Sequence, residues 1–268
     1  MGVSASRNGN FDAEACARQL VELRQNASRP QELPSHLQPA NLVEAYAAQQ
    51  SAIALWPDEI AGWKIGATSK EIQALFQIDE PVYGPVFKRH VHPSPARVTT
   101  VQYGHRMLEA EFAFRFRETL PRRQAPHTRE RIRTAVDAVI PAFEIVEPRF
   151  AALTIGNIPQ LVADFCANGG AVLAPPHTDW STLDLPSCHV RLLVDGQFEK
   201  EGNGALVLGD PFNALEWFVN RQQGPDIEPG QFVLAGTMIG IYTANPNQSV
   251  EADFGALGSV SIEFTQNA

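Results

Sequence analysis

The sequence predicts an α+β protein: a small, mainly helical N-terminal portion over residues 1–75, then a β-rich body with a few helices over residues 76–268. The two portions form either separate units or one continuous domain. Three observations carry this reading. First, 44 % of the 268 residues are hydrophobic, enough for a full core, which excludes general disorder and a fibrous architecture. Second, helical periodicity and capping residues fill the first seventy positions or so. Third, from about residue 80 prolines separate short β-prone runs, one of which alternates strictly between apolar and polar positions.

Asp12 is placed to cap a helix running through Ala17, Leu20 and Leu23. Asn41 with Glu44 three positions on resembles a capping box, opening an Ala-rich helix that carries Leu42, Tyr46 and Ile53 towards Trp56. The linker over residues 30–39 holds three prolines and cannot be helical throughout. A short strand, Trp63-Lys64-Ile65, follows between Gly62 and Gly66, and Ser69 can cap a brief helix over Ile72 and Leu75.

In the body, turns are expected around Pro81, Pro85, Pro93 and Pro95. Leu108, Ala110, Phe112, Phe114 and Phe116 alternate with Glu109, Glu111 and Arg115 on the opposite face of a strand. Thr128 opens a predicted helix whose stripe includes Ile132, Ala135, Val136 and Val139. Further strands are expected at residues 143–146, 190–194, 232–234, 250–254 and 259–264, with Asp195-Gly196 as a hairpin turn. Two helices interrupt them: residues 159–168, closed by Gly169-Gly170, and residues 211–220, opened by Asp210 before Pro211.

A formal net charge of −9 disfavours nucleic acid or an anionic membrane as partner while leaving room for a small anionic substrate. Cys16, Cys166 and Cys188 are odd in number and widely spaced, so they read as buried or indifferent thiols rather than a disulfide framework. No apolar run approaches the ~20 residues of a membrane span, and a soluble cytoplasmic protein is expected. Met1-Gly2-Val3-Ser4-Ala5-Ser6 fits the myristoylation pattern only weakly. Gly202-Asn203-Gly204 lacks a third glycine at Val207 and a βαβ context, and neither a phosphate loop nor a GxSxG elbow occurs. His90-Val91-His92 runs into Pro93 without a third ligand and reads as a solvated loop. Arg122, Arg123, Arg129, Arg131 and Arg133 read as a solvated loop and helix face.

Three acids and one lysine stand out. Glu109 and Glu111 share a strand face, which by itself is ordinary for a strand with one wet side. Glu144, however, lies inside the apolar run 138–146, where an ionised carboxylate is costly unless compensated. If the two strands are neighbours, three carboxylates within ~5 Å repel by roughly 3 kcal/mol per pair at an effective dielectric of ~20. A retained proton or a divalent cation must relieve this, and all-oxygen ligation suits Mg²⁺, Mn²⁺ or Ca²⁺. Lys64 sits mid-strand between Trp63 and Ile65; it either discourages edge pairing or, near a metal, helps bind an anionic substrate and stabilise enolate charge.

Six stretches together resemble the bacterial 2-keto-4-pentenoate (2-hydroxypenta-2,4-dienoate) hydratases and their relatives, 2-oxohepta-3-ene-1,7-dioate hydratase and 4-oxalocrotonate decarboxylase, within the fumarylacetoacetate hydrolase superfamily. They are Gly62-Trp63-Lys64-Ile65-Gly66-Ala67-Thr68-Ser69-Lys70, Leu108-Glu109-Ala110-Glu111-Phe112-Ala113-Phe114, Pro141-Ala142-Phe143-Glu144-Ile145-Val146, Ala167-Asn168-Gly169-Gly170, Leu208-Gly209-Asp210-Pro211-Phe212-Asn213-Ala214 and Gly255-Ala256-Leu257-Gly258-Ser259-Val260-Ser261. They occur in family order from about residue 40 onward. The resemblance implies a mixed β-roll body with a smaller N-terminal α/β portion, and homo-oligomers. It also implies Mg²⁺ or Mn²⁺ on Glu109, Glu111 and Glu144, with Lys64 as the active-site lysine and Asn168 and Thr237 at the substrate. The implied substrate is a short unsaturated 2-oxo or 2-hydroxy acid, hydrated in aromatic catabolism.

The sequence also departs from that family. Family members carry an acid that helps proton transfer in Pro-Asp-Tyr/Phe-Gly; here the run is Pro81-Val82-Tyr83-Gly84, leaving nearby Asp79 as the candidate substitute. Phe165 stands where asparagine is common, and Ile241 where proline is common. Hydration therefore competes with decarboxylation of the 4-oxalocrotonate type and with acylpyruvate hydrolysis, for which His36 would be the base. A non-catalytic 2-oxo acid binder or structural subunit is the remaining alternative.

Overall fold

The computed structural model describes residues 11–100, 103–150, 157–221 and 223–266; the acylation-like pattern at residues 1–6 lies outside them. The chain opens with α1 (Ala13–Gln25) and α2 (Leu42–Leu55). Asp12 Oδ1 accepts from the Ala15 N–H and Asn41 Oδ1 from the Glu44 N–H, so both predicted caps form. Then come β1 (Ile60–Gly66), α3 (Lys70–Phe76), β2 (Val82–Phe87), β3 (Val91–Pro93), β4 (Ala96–Thr99), β5 (Met107–Phe116), α4 (Arg129–Ala135) and β6 (Val136–Val146). Beyond these lie α5 (Ile158–Ala163), β7 (Asn168–Leu173), β8 (His189–Val194), β9 (Gln197–Asn203), α6 (Pro211–Val219), β10 (Phe232–Leu234), β11 (Tyr242–Thr243), β12 (Ser249–Asp253) and β13 (Ser259–Thr265). Among the described residues no helix is long and apolar enough to cross a membrane.

The strands form two mixed sheets. The larger has the order β2-β1-β10-β5-β6-β7-β3, with β11 pairing β5; the smaller has the order β4-β13-β12-β8-β9. β1 with β10, β3 with β7 and β4 with β13 run parallel, and the remaining pairs run antiparallel. One apolar core joins the sheets: Phe112, Phe114, Phe143 and Ile145 of the larger meet Val190, Leu192, Val250 and Ile262 of the smaller. The predicted α+β class and the β-roll body are thereby observed.

Three local expectations need correction. The helix opened by Thr128 stops at Ala135, and Val136 and Val139 belong to the eleven-residue β6, because β-branched and aromatic residues from Val136 onward find pairing partners along the whole of β5. The helix expected over residues 159–168 ends at Ala163, and Gly169 and Gly170 lie within β7 rather than capping it. Gly170 is needed for close strand approach: a Cβ there would sit 2.3 Å from the His90 carbonyl oxygen. His90 and His92 do not lie in a solvated loop. Val91–Pro93 is a strand on β7, and both rings share the Tyr103 hydroxyl as partner. The basic run is paired as well as surface-lying: Arg129 meets Asp210 and Glu216, Arg131 meets Glu118, and Arg133 stacks over Trp180.

Candidate active site

β5 and β6 pair so that Glu109 faces Glu144 directly across the ladder. Glu111, two residues along β5, projects to the same face, because strand side chains repeat every two residues. The three side chains each place a carboxylate oxygen within 4.8 Å of the others. That face is not the wet side of a half-exposed sheet. Its neighbours Ala113, Ala138, Ile140 and Ala142 are buried, Glu111 and Glu144 are fully buried, and Glu109 is half-buried. The small alanines leave the depth in which three carboxylates fit.

Lys64 is on β1, an interior strand between β2 and β10, so the edge-protecting role does not apply. It is itself buried. Its Nζ lies 3.2 Å from Glu144 Oε1 and 3.9 Å from Cys166 Sγ. Asn168 Nδ2 donates to the same Glu144 oxygen at 3.1 Å. The Gly236 N–H donates to Glu111 Oε2 at 2.8 Å from a left-handed φ of +111°. A Cβ at Gly236 would approach Thr68 Oγ1 to 2.2 Å, so only glycine fits.

The electrostatics follow from burial. Removal from water, then the Glu144 charge, pushes Glu109 up to about 7, against the pull of Lys64 and Lys200. Burial followed by Glu144 and Glu109 raises Glu111 far above the usual carboxylate range. Burial also raises Glu144, opposed by Lys64 and by the Asn168 amide. Burial alone would depress Lys64, but the Cys166 thiol and the three carboxylates reverse it and hold the ammonium charged. The acids are thus pushed towards holding protons when no cation is present; fully ionised, as cation ligands, they would leave a charge of −3 + 1 = −2 against the Lys64 ammonium.

A divalent cation matches both that charge and that donor set. Glu111 Oε1 and Glu144 Oε2 are buried without any hydrogen-bond partner, an arrangement that costs several kcal/mol if nothing fills it. Oxygens bound to one hard cation at ~2.1–2.6 Å lie at most ~4.2–5.2 Å apart, so the spread of up to 4.8 Å is of the right scale and contracts around an ion as small as Mg²⁺.

The acids open into a cavity of about 380 Å³. Lys64, Glu109, Thr68, Ser69, Thr237 and Cys166 line its polar end. Of the residues singled out from sequence, Lys64, Glu109 and Thr237 reach this cavity directly, and Glu111 and Glu144 lie behind its wall. Asn168 serves Glu144 rather than the cavity wall. Asp79 lies on an exposed turn after α3 and does not line the cavity, while Val82, buried, does. His36 is exposed and also off the cavity, which leaves the hydrolytic reading without its base.

Sequence reasoning missed the support behind Asn168. Arg24 of α1 donates from Nη1 to the Asn168 carbonyl oxygen at 2.9 Å and from Nε to Asp164 Oδ1 at 2.5 Å, and Asp164 Oδ2 accepts the Arg149 N–H at 2.8 Å. It also missed the turn that delivers Cys166 and Asn168. Phe165, Cys166 and Ala167 are consecutive residues with φ of +52°, +54° and +58°, a strained left-handed stretch beside the site. The sequence signal for it is slight, an acidic residue, Asp164, just before the aromatic-Cys-Ala-Asn run 165–168.

No protein-family model matches the chain. It is 30 % identical over 214 residues to the 2-hydroxyhexa-2,4-dienoate hydratase of Comamonas testosteroni, covering 78 % of this chain and 80 % of that one. It is 29 % identical over 260 residues to the 2-keto-4-pentenoate hydratase of Paraburkholderia xenovorans strain LB400, covering 95 % of both. In fold it superposes on 4-oxalocrotonate decarboxylase from Pseudomonas putida G7, complexed with magnesium and adipate, with a TM-score of 0.87 and 22 % identity over 95 % of this chain and 100 % of that one. In fold the chain is also similar to a putative fumarylacetoacetate hydrolase family protein from Yersinia pestis CO92, with a TM-score of 0.56 and 14 % identity over 81 % of this chain and 97 % of that one. By sequence, the chain belongs to the family of the 2-hydroxydienoate and 2-keto-4-pentenoate hydratases.

Proposed function

We propose that the protein is a divalent-metal-dependent hydratase of a short unsaturated 2-hydroxy acid. One observation carries this reading: three converging carboxylates, two of whose buried oxygens have no hydrogen-bond partner, beside a cavity that Glu109 lines. Glu109, Glu111 and Glu144 would hold the ion, magnesium or manganese. When bound, the ion supplies Lewis-acid stabilisation for charge developing on the 2-oxygen of the acid.

The protein groups do the remaining work. Lys64, kept cationic by the surrounding carboxylates, faces the cavity and complements the substrate carboxylate. Hydration also moves protons, off the enolic oxygen and onto carbon. Val82 cannot take part, so the ammonium of Lys64 is the side chain placed to hold or deliver a proton there. The Thr237 hydroxyl lines the same end and can orient the acid. Asn168, Arg24 and Asp164 act through Glu144 as positioning residues. A homo-oligomer and a cytoplasmic location accompany this reading.

The test is turnover of 2-hydroxypenta-2,4-dienoate with Mg²⁺ or Mn²⁺, followed by loss of the dienol absorbance and abolished by chelator. Parallel incubation with 2-oxohex-3-enedioate, scored for CO₂, tests decarboxylation, the second reading favoured by the likeness in fold. Glu109→Gln is expected to remove metal-induced thermal stabilisation while raising the Tm of the metal-free protein, because it relieves like-charge repulsion. A Glu109→Gln protein that binds Mn²⁺ like the parent would sink the assignment.

A further inference from the structure

A second cavity, of about 230 Å³, begins where the turn at Phe165–Ala167 ends. Cys166 and Ala167 line the cavity beside the glutamates, whereas Asn168 and Gly169 line this one, and the two have no lining residue in common. Trp56 and Phe87 give it an apolar side; Arg24, Arg149 and Glu147 give it a charged one. Arg149 is only 4 % exposed. Its Nη2 donates to Glu147 Oε1 at 3.1 Å, but its Nε is buried without a hydrogen-bond partner among the described residues. A buried guanidinium N–H without an acceptor is costly.

The neighbouring carboxylates are already engaged. Glu147 Oε1 also accepts from Arg29 Nε at 3.0 Å and Nη2 at 2.6 Å, and Glu147 Oε2 accepts the His105 N–H at 3.0 Å. Asp164 accepts from Arg24 Nε at 2.5 Å and from the Arg149 N–H at 2.8 Å. Three guanidinium groups, those of Arg24, Arg29 and Arg149, thus share two carboxylates, and one positive charge is left over. Burial, then the Arg24 charge, pulls Arg149 down to about 10 against Asp164 and Glu147, as expected of a cation with too little countercharge.

We propose that this cavity is a binding site for a small monocarboxylate, one oxygen of which accepts from Arg149 Nε. One surplus charge matches a monoanion, and a planar carboxylate suits a guanidinium. The Trp56 and Phe87 rings suit a short apolar remainder, and they exclude water that would otherwise screen the pair. The site uses neither Lys64 nor the three glutamates, so it stands or falls apart from the proposed function.

The probe is acetate, titrated into the full-length protein in chelator, which keeps the acid off any metal, at constant ionic strength. Tm is expected to rise saturably, by about 3 °C at ten times the Kd. Chloride is expected to give no saturable rise. One arginine Nε resonance in the ¹⁵N spectrum is expected to move with acetate and to be missing from Arg149→Lys. That variant keeps the charge but removes the Nε–H, so half-saturation should need roughly tenfold more acetate. Ala27→Asp sets a like charge at an exposed lining position whose φ of +50° suits Asp better than Ala, and should raise half-saturation about fivefold even if Arg149→Lys does not fold. No saturable response to acetate, an equal response to chloride, or an acetate response unchanged in Ala27→Asp overturns the proposal.

Discussion

Removing the Asn168 amide separates two accounts of that residue. Resemblance to the family makes it a substrate ligand, whereas its Nδ2 lies 3.1 Å from Glu144 Oε1 and its side chain is buried away from the cavity. A hydrogen bond to a buried carboxylate contributes about 1.5–3 kcal/mol, or roughly 10- to 150-fold in a binding constant. Lys64 Nζ shares the same oxygen at 3.2 Å and keeps part of the stabilisation, so the lower part of that range applies. Asn168→Ala is therefore expected to weaken Mn²⁺ binding by about 10- to 30-fold, in line with the 10–100-fold typical for groups that orient a metal ligand. Electron paramagnetic resonance of free Mn²⁺ at fixed pH gives the affinity directly. KM for the dienoate, taken at saturating metal, should stay within about twofold. An unchanged Mn²⁺ affinity with a raised KM would refute the positioning role and restore the substrate-ligand account.

Gly236→Ala forces a side chain into φ +111° and against Thr68 Oγ1, so it is expected to lower stability by about 1–3 kcal/mol and to weaken metal binding through Glu111; denaturant unfolding and Mn²⁺ titration check both. Ala167→Gly relieves one of the three left-handed residues, a strain of about 1–2 kcal/mol, less about 0.5–1 kcal/mol of added chain entropy, so Tm should rise by about 2 °C. Burial lowers the pKa of His90, His92 and His105, with Arg24 and Arg89 near His90 and Arg29, Arg149 and Arg106 near His105 adding to it. Because the unfolded chain takes up protons on these rings first, near pH 6.5, stability is retained above that value and lost as pH falls through it towards the lower folded pKa values. Tm measured from pH 8 to pH 5 should fall below about pH 6.5, and the fall should be shallower in His92→Gln; a slope unchanged by that substitution would assign it to other groups.

Much of this site could be read from the sequence because two of its determinants are local. The two-residue period of β5 fixes Glu109 and Glu111 on one face, and the apolar run around Glu144 marks an acid that burial must compensate. The caps at Asp12, Asn41, Ser69 and Asp210 were equally legible, since each depends on a side chain and a backbone N–H two or three residues apart. What sequence could not supply was register. Nothing local says that Glu109 stands opposite Glu144, or that Lys64 reaches them across β10. The same limit explains the helix expected through Val136 and Val139: its stripe is real, but long-range pairing with β5 outweighs it. The ending of α5 was hidden for a different reason. The left-handed run Phe165–Ala167 contains no glycine, so the backbone there is set by its surroundings and not by propensity.

These features share one physical logic. A sheet face lined with alanine would be stable if its three acids were apolar, and the turn at Phe165–Ala167 would be stable if it were glycine-rich. Instead, the chain keeps like charges directly opposed on neighbouring strands, an arrangement that destabilises a sheet, and holds the turn that supplies Asn168 in a costly conformation. Lys64 can cancel only one of the three charges that the ionised acids would carry, and burial pushes the acids towards protonation instead. Binding a divalent cation to the folded state alone would recover the rest, so the metal should stabilise the protein as well as equip it. The thermal shift on adding Mn²⁺ is thus expected to be several degrees in the parent and to vanish in Glu109→Gln. A parent whose Tm ignores the ion would mean that the buried charge is already balanced by protons, and that the three glutamates are not a metal seat.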